Sequence, residues 1–196
     1  MTAASTSAST TASGRARWPI FFGLAALVIV VDQLTKTWLV ATVAPGEAIR
    51  IVGDYLRLIF SQNSGALFGL FRDQAILFGI VSIGVVALIV WFHGSSGRNT
   101  WLSVALGLLL GGAVGNMLDR FRFGYVVDWV DAGIGDLRFY TFNVADSMIT
   151  LSILLLLALA LFPQLGREAS PPPVAEPDPF DDEPAPTAPD VGTPDA

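Results

Sequence analysis

The 196-residue sequence contains no cysteine, which excludes disulfide frameworks, thiol nucleophiles and thiolate metal sites. A single histidine, His93, excludes a histidine-pair metal site and any Ser–His arrangement built on another imidazole. Charge is scarce as well. Asp, Glu, Lys and Arg make up 14% of the chain, against roughly 25% in an ordinary soluble domain. The formal charge of −6 belongs to the C-terminal tail, where eight acids follow Phe162 against one base, Arg167. Residues 1–162 carry ten bases and nine acids, so there is no basic patch for nucleic acid.

Apolar residues fill this space, at 53% of the chain, and they come in blocks. Four stretches approach the roughly 20 residues that a helix needs to cross a bilayer: Trp18–Ala44, Gln74–Phe92, Trp101–Leu118 and Val144–Phe162. Trp18, Trp91 and Trp101 stand at their ends, where interfacial aromatics belong. The first stretch is too long for the 7–15 residue apolar region of a cleaved signal peptide, and Asp32 and Lys36 interrupt it. It is expected to be a retained helix. The polar N-terminal residues 1–17 and the Pro-rich acidic tail from Pro163, which holds ten of the twelve prolines, are predicted to be disordered.

The expected fold is therefore an all-α membrane protein of four transmembrane helices, with both termini on one side. Between the first two helices, AIRIVGDYLRLIFSQNSGA alternates around a Gly53-Asp54 turn and predicts a small hairpin or cradle. Residues 119–143 read as a loop. Arg15 and Arg17 place the N-terminus inside. The six arginines of the opposite loops (Arg50, Arg57, Arg72, Arg120, Arg122 and Arg138) argue the other way on a simple count.

The polar residues within these blocks are the informative ones, since charges in lipid face the bundle interior. Asp32 and Lys36 lie four apart on one helix face and predict an ion pair, either structural or part of a polar site. The third helix ends GGAVGNMLDRFRFG, where Gly111, Gly112 and Gly115 permit close helix approach. Asn116, Asp119 and Arg120 share a face there, with Asp119 and Arg120 expected to pair. At the start of the fourth helix, Asn143 is placed to cap it, with Asp146 as the capping-box acid. No cap accounts for Asp128, set among bulky apolar residues in YVVDWV.

Two carboxylates sharing one proton are the machinery of an aspartic hydrolase. Asp128 precedes the fourth helix and Asp146 opens it, so a returning loop can bring them together. Gly133-Ile134-Gly135-Asp136 matches the GxGD pattern of other membrane proteases, but sits in a polar glycine loop and reads as a turn. Two other readings stay open at this level: an ion-coupled transporter using Asp32 and Lys36, and a scaffold in which every acid is a cap or an ion pair.

Five motifs in order resemble the bacterial lipoprotein signal peptidase (signal peptidase II) family. They are Asp32-Gln33-Leu34-Thr35-Lys36, Gln62-Asn63-Ser64-Gly65-Ala66, Gly111 to Arg120, Val126-Val127-Asp128-Trp129 and Phe142-Asn143-Val144-Ala145-Asp146. The likeness covers about residues 18–162, with departures at Ala66-Leu67-Phe68 and Trp129. It implies a multi-pass inner-membrane aspartic protease with cytoplasmic termini and an active site toward the extracytoplasmic face. The implied reaction removes the signal peptide from diacylglyceryl-modified prolipoproteins, cutting before the lipidated cysteine. The implied catalytic pair is Asp128 and Asp146, supported by Asn63, Gly65, Asn116, Asp119, Arg120 and Asn143, with Asp32 and Lys36 in a polar layer beneath. The implied partners are prolipoprotein substrates and membrane lipid, with no cofactor, no metal, no nucleic acid and a monomeric state.

Overall fold

The computed structural model describes residues 16–65, 74–97 and 99–166. The expectations for residues 1–15, for the tail beyond 166 and for the departure at 66–68 lie outside them. Four helices are long and apolar enough to cross a membrane: α1 (Trp18–Thr42), α2 (Ala75–Ser96), α3 (Thr100–Phe123) and α4 (Val144–Leu161). Helix α3 runs past its expected end at Leu118, with Arg120 and Arg122 in its last turn, where cations complement the helix dipole. It stops at Gly124, whose φ of 76° supplies the left-handed C-cap. Asn99 caps its start by accepting a hydrogen bond from the Leu102 N–H at 2.9 Å.

The other three helices pack around α3. Gly107, Gly111 and Gly115 recur every fourth residue on the face toward α1. A Cβ at these positions would lie 2.8 Å from the Phe21 carbonyl, 2.6 Å from Val28 Cβ and 2.7 Å from Asp32 Oδ2, respectively. Gly112 faces α4, where a Cβ would lie 2.6 Å from the Ala145 carbonyl. Lipid tails supply no hydrophobic drive between helices, so backbone approach of this kind is what holds them. Away from the sheet, Phe21, Ala25, Ile89, Leu106 and Leu110 form a buried cluster. At that end the Arg17 N–H donates to the Gly97 carbonyl, and the Asn99 side chain donates to the Gly166 carbonyl. Pro163–Gly166, assigned to the tail from sequence, form a 3-10 turn.

The hairpin between α1 and α2 is present as β1 (Ala48–Val52) and β2 (Leu56–Asn63), turning at Gly53 with φ 51°. It is half of a larger structure. Residues read as a loop from sequence form β3 (Val126–Ile134) and β4 (Leu137–Arg138), giving an antiparallel sheet in the order β1-β2-β3-β4. Val126, Val127 and Asp128 are all buried, so the strand shows no in–out alternation by which to recognise it. Gly135, with φ 56°, and Asp136 form the β3–β4 turn, while Gly133 and Ile134 end β3, so the GxGD tetrapeptide expected as a turn is half strand and half turn.

Asp131 pins β3. It receives Arg57 Nε at 2.8 Å and Arg138 Nε at 2.9 Å on separate oxygens. Burial works against its ionisation, but the hydrogen bonds and charges of both arginines outweigh this and hold its carboxyl below the usual range. A last bridge, Val130 with Phe142, returns the chain from β4 to the start of α4.

The glycine contacts give a direct test. Gly112→Ala must push α4 off α3, because the opposing atom is a backbone oxygen that cannot rotate away. Thermal unfolding in detergent should show a loss of about 1–3 kcal/mol. Gly23→Ala, with nothing within 4 Å of its Cβ, should leave the midpoint unchanged or raise it.

Candidate active site

The site grows from a residue that a membrane helix tolerates poorly. Lys36 is buried on α1, and all three of its N–H donors are used. They reach Asp32 Oδ2 at 2.8 Å, Asp119 Oδ2 at 2.9 Å and Asn116 Oδ1 at 3.0 Å. The expected Asp32–Lys36 pair is thus present, one turn apart on one face. The expected Asp119–Arg120 pair is not. Neighbouring residues on a helix point about 100° apart, and Asp119 turns inward to Lys36. Arg120 Nη1 donates instead to the Asn116 carbonyl at 3.2 Å, and its Nε has no partner among the described residues.

Each partner of Lys36 has a second duty. Asp32 Oδ1 accepts the Ala145 N–H at 3.0 Å, taking up a free backbone donor in the first turn of α4. Asp119 Oδ2 accepts the Val127 N–H at 3.1 Å and so fixes β3. Asn116, its oxygen committed to Lys36, aims its Nδ2 at Asp146 Oδ1, 2.7 Å away. Gln33, which drew no role from sequence, donates to Asp119 Oδ1 at 2.9 Å and to Asp32 Oδ2 at 3.2 Å. An amide within an apolar helix is itself a signal, and here it braces both acids from the side.

Asn143 joins the two remaining carboxylates. It forms the expected capping box with Asp146: Asn143 Oδ1 accepts the Asp146 N–H at 2.9 Å, and Asp146 Oδ2 accepts the Asn143 N–H at 3.2 Å. The Nδ2 group of Asn143 donates to Asp128 Oδ1 at 2.7 Å. The other oxygen of Asp128 accepts from Asn63 Nδ2 at 3.0 Å. Asn63 is held in turn by the Gly65 N–H, which donates to its Oδ1 at 3.2 Å. The cap and the juxtaposition with Asp128 are therefore the same structure, and Asp146 serves both.

Electrostatically the pair stands apart. Asp32, Asp119, Asp131 and Asp54 are all ion-paired. Asp128 and Asp146 form no ion pair among the described residues, although Asp128 is almost completely buried. Burial, and then the neighbouring charge of Asp146, push the Asp128 carboxyl up to about 7, with Asn63 and Asn143 pulling the other way. Such a group favours folding most fully below its unfolded value of about 4, and that contribution is lost as pH rises through 7. Among the described residues, no three His, Cys, Asp or Glu side chains are grouped to hold a metal ion.

A buried and a half-buried carboxyl held by amides, one of them protonated up to about neutral pH, have the groups to activate water and protonate a carbonyl. Comparisons with known proteins point to one family. The family model for signal peptidase (SPase) II matches residues 24–162. The chain is similar to the lipoprotein signal peptidase of Geobacillus kaustophilus (strain HTA426), with 37% identity over 76% of this chain and 99% of that one. It is similar also to that of Syntrophomonas wolfei subsp. wolfei (strain DSM 2245B / Goettingen), with 36% identity over 72% and 92%. Two solved structures of bacterial membrane enzymes obtained by the in meso method share the fold. One has a TM-score of 0.70 at 28% identity, over 80% of this chain and 98% of the other; the second has 0.68 at 30%, over 76% and 96%.

The ion network predicts a measurable asymmetry. Lys36→Met leaves two buried carboxylates without their cation and should lose about 3–5 kcal/mol in thermal or denaturant unfolding. Adding Asp119→Asn to that variant should recover part of the loss. A double variant less stable than Lys36→Met alone would contradict the pairing.

Proposed function

The chain belongs to the signal peptidase II family, and from that premise we propose that it is a membrane aspartic endopeptidase acting on diacylglyceryl-modified prolipoproteins. It removes the signal peptide by cutting before the lipidated cysteine. The observation that carries this reading is a contrast among neighbouring acids: Asp32, Asp119 and Asp131 hold a cation, whereas Asp128 and Asp146 are held by amides alone. A permanent cation would fix a carboxylate in its ionised state. Amide donors orient it and leave the proton free to move.

The two carboxyls share one proton and titrate as a unit. The ionised member takes a proton from water as the water oxygen attacks the scissile carbonyl carbon. The protonated member gives its proton to the carbonyl oxygen, which becomes the hydroxyl of a tetrahedral intermediate. Collapse of that intermediate breaks the C–N bond, with a proton delivered to the departing amine. Asn143 keeps the two groups in register, while Asn63 and Asn116 fix their outer oxygens. Arg120, whose charge acts on both carboxyls, is assigned the supporting role of a cation beside the pair.

Residues 18–162 form the peptidase domain in this reading, working as a monomer in the bacterial cytoplasmic membrane. Arg15 and Arg17 before α1 favour cytoplasmic termini, which places the sheet and the carboxyl pair at the extracytoplasmic face. The polar site then meets the bilayer where a lipidated cysteine and its diacylglyceryl group arrive.

Two experiments test the proposal. Asp128→Asn and Asp146→Asn should each abolish processing of a lipidated precursor while the protein still inserts and melts cooperatively; full activity in either would sink the dyad. The unlipidated precursor should be a poor substrate for the wild type. In a pH series, kcat/KM should fall as pH rises through about 7, where the pair loses its shared proton. Asn63→Ala removes a donor to ionised Asp128 and should move that alkaline limb to higher pH. A shift to lower pH would show that Asn63 acts in some other way.

A further inference from the structure

A cleft of about 180 Å³ opens between α1 and α3 at their sheet-side ends. None of Asp128, Asp146, Asn143 or Asn63 lines it. Its floor is Lys36 and Asp119, both buried and satisfied by each other and by their other partners. Its rim differs. Arg122 is exposed beside it, the guanidinium 4.8 Å from the Phe123 ring centroid, with no ion pair or hydrogen bond among the described residues. Thr37 is exposed too. The hydroxyls of Thr35 and Thr42 bond backbone carbonyls of α1, whereas that of Thr37 bonds to nothing described. Below the rim, Val40 and Phe123 present apolar walls that are 51% and 42% exposed.

At the membrane surface water satisfies an exposed guanidinium and hydroxyl, and an anionic headgroup can replace that water with a charge-assisted contact. The cleft holds several water molecules' worth of space, enough for a phosphate and its glycerol but not for acyl chains. Those chains would lie outside, along Val40 and the lipid-facing side of α1. No free acid is available to take an ammonium, since Asp119 is saturated by Lys36, Gln33 and the Val127 N–H. The diacylglyceryl group of the proposed substrate carries no charge for Arg122 to recognise, so the cleft suits a different lipid.

We propose that this cleft binds the phosphodiester headgroup of an anionic bilayer phospholipid, with Arg122 and Thr37 as its donors. The full chain in phosphatidylcholine nanodiscs containing a minor fraction of phosphatidylglycerol provides the test, with retained lipid counted by native mass spectrometry. The wild type should retain one phosphatidylglycerol in preference to phosphatidylcholine. The Arg122→Gln/Thr37→Val variant should lose that preference by about tenfold or more, the worth of a charge-assisted hydrogen bond. Arg122→Lys should keep most of it. Melting midpoints of wild type and double variant in pure phosphatidylcholine should coincide, so that lost lipid is not lost fold. Equal retention by wild type and double variant, or no preference for the anionic lipid, would overturn the assignment. So would millimolar inorganic phosphate alone raising the wild-type midpoint and not the variant's, which would make the cleft a free-anion site.

Discussion

One buried ammonium organises this molecule. Lys36 is surrounded by two carboxylates and an amide oxygen, and each of these reaches on to a different element. Asp32 holds the first turn of α4, Asp119 holds β3, and Asn116 holds Asp146. Taking three charges out of water costs several kcal/mol per ion, and the arrangement is tolerable because the hydrogen bonds are nearly complete. Its return is registration: α1, α3, α4 and the sheet cannot slide against one another without uncovering a charge.

That registration separates two classes of acid that look alike in sequence. Asp32, Asp119 and Asp131 each hold a cation and have mechanical roles. Asp128 and Asp146 sit a few bonds further along the same network, separated from direct contact with Lys36 by the side-chain amides of Asn116 and Asn143. An amide transmits orientation without supplying a full charge. The interposed asparagines therefore give the pair a fixed geometry without a bound cation, and the sheet buries Asp128.

Most of the fold was legible because membrane helices announce themselves by length and composition. The hairpin was legible because its strands alternate around Gly53. The second half of the sheet was not, because a strand buried on both faces carries no period of two, and VVDWV reads as an unexplained apolar run. Among site residues, Asp32 with Lys36 and Asn143 with Asp146 followed from helical spacing alone. The partner of Asp119 did not. Spacing suggested its neighbour Arg120, but Lys36 lies far away in sequence, and only the glycine face of α3 brings it close. Gly107 was passed over because it stands apart from the dense GGAVG cluster, although it completes the four-residue repeat. The arginine clamp on Asp131 is likewise non-local and left no trace in the sequence.

The bond from Asp32 to the Ala145 N–H spans most of the chain and belongs to the last of the four helices. Asp32 has its cation, Lys36, on its own helix, so α1 carries a neutral pair and only the Oδ1 of Asp32 waits for α4. Asp146 and its cap arrive only with α4. The carboxyl pair therefore forms only when α4 docks against α1 and α3, so its geometry depends on contacts that span most of the described chain.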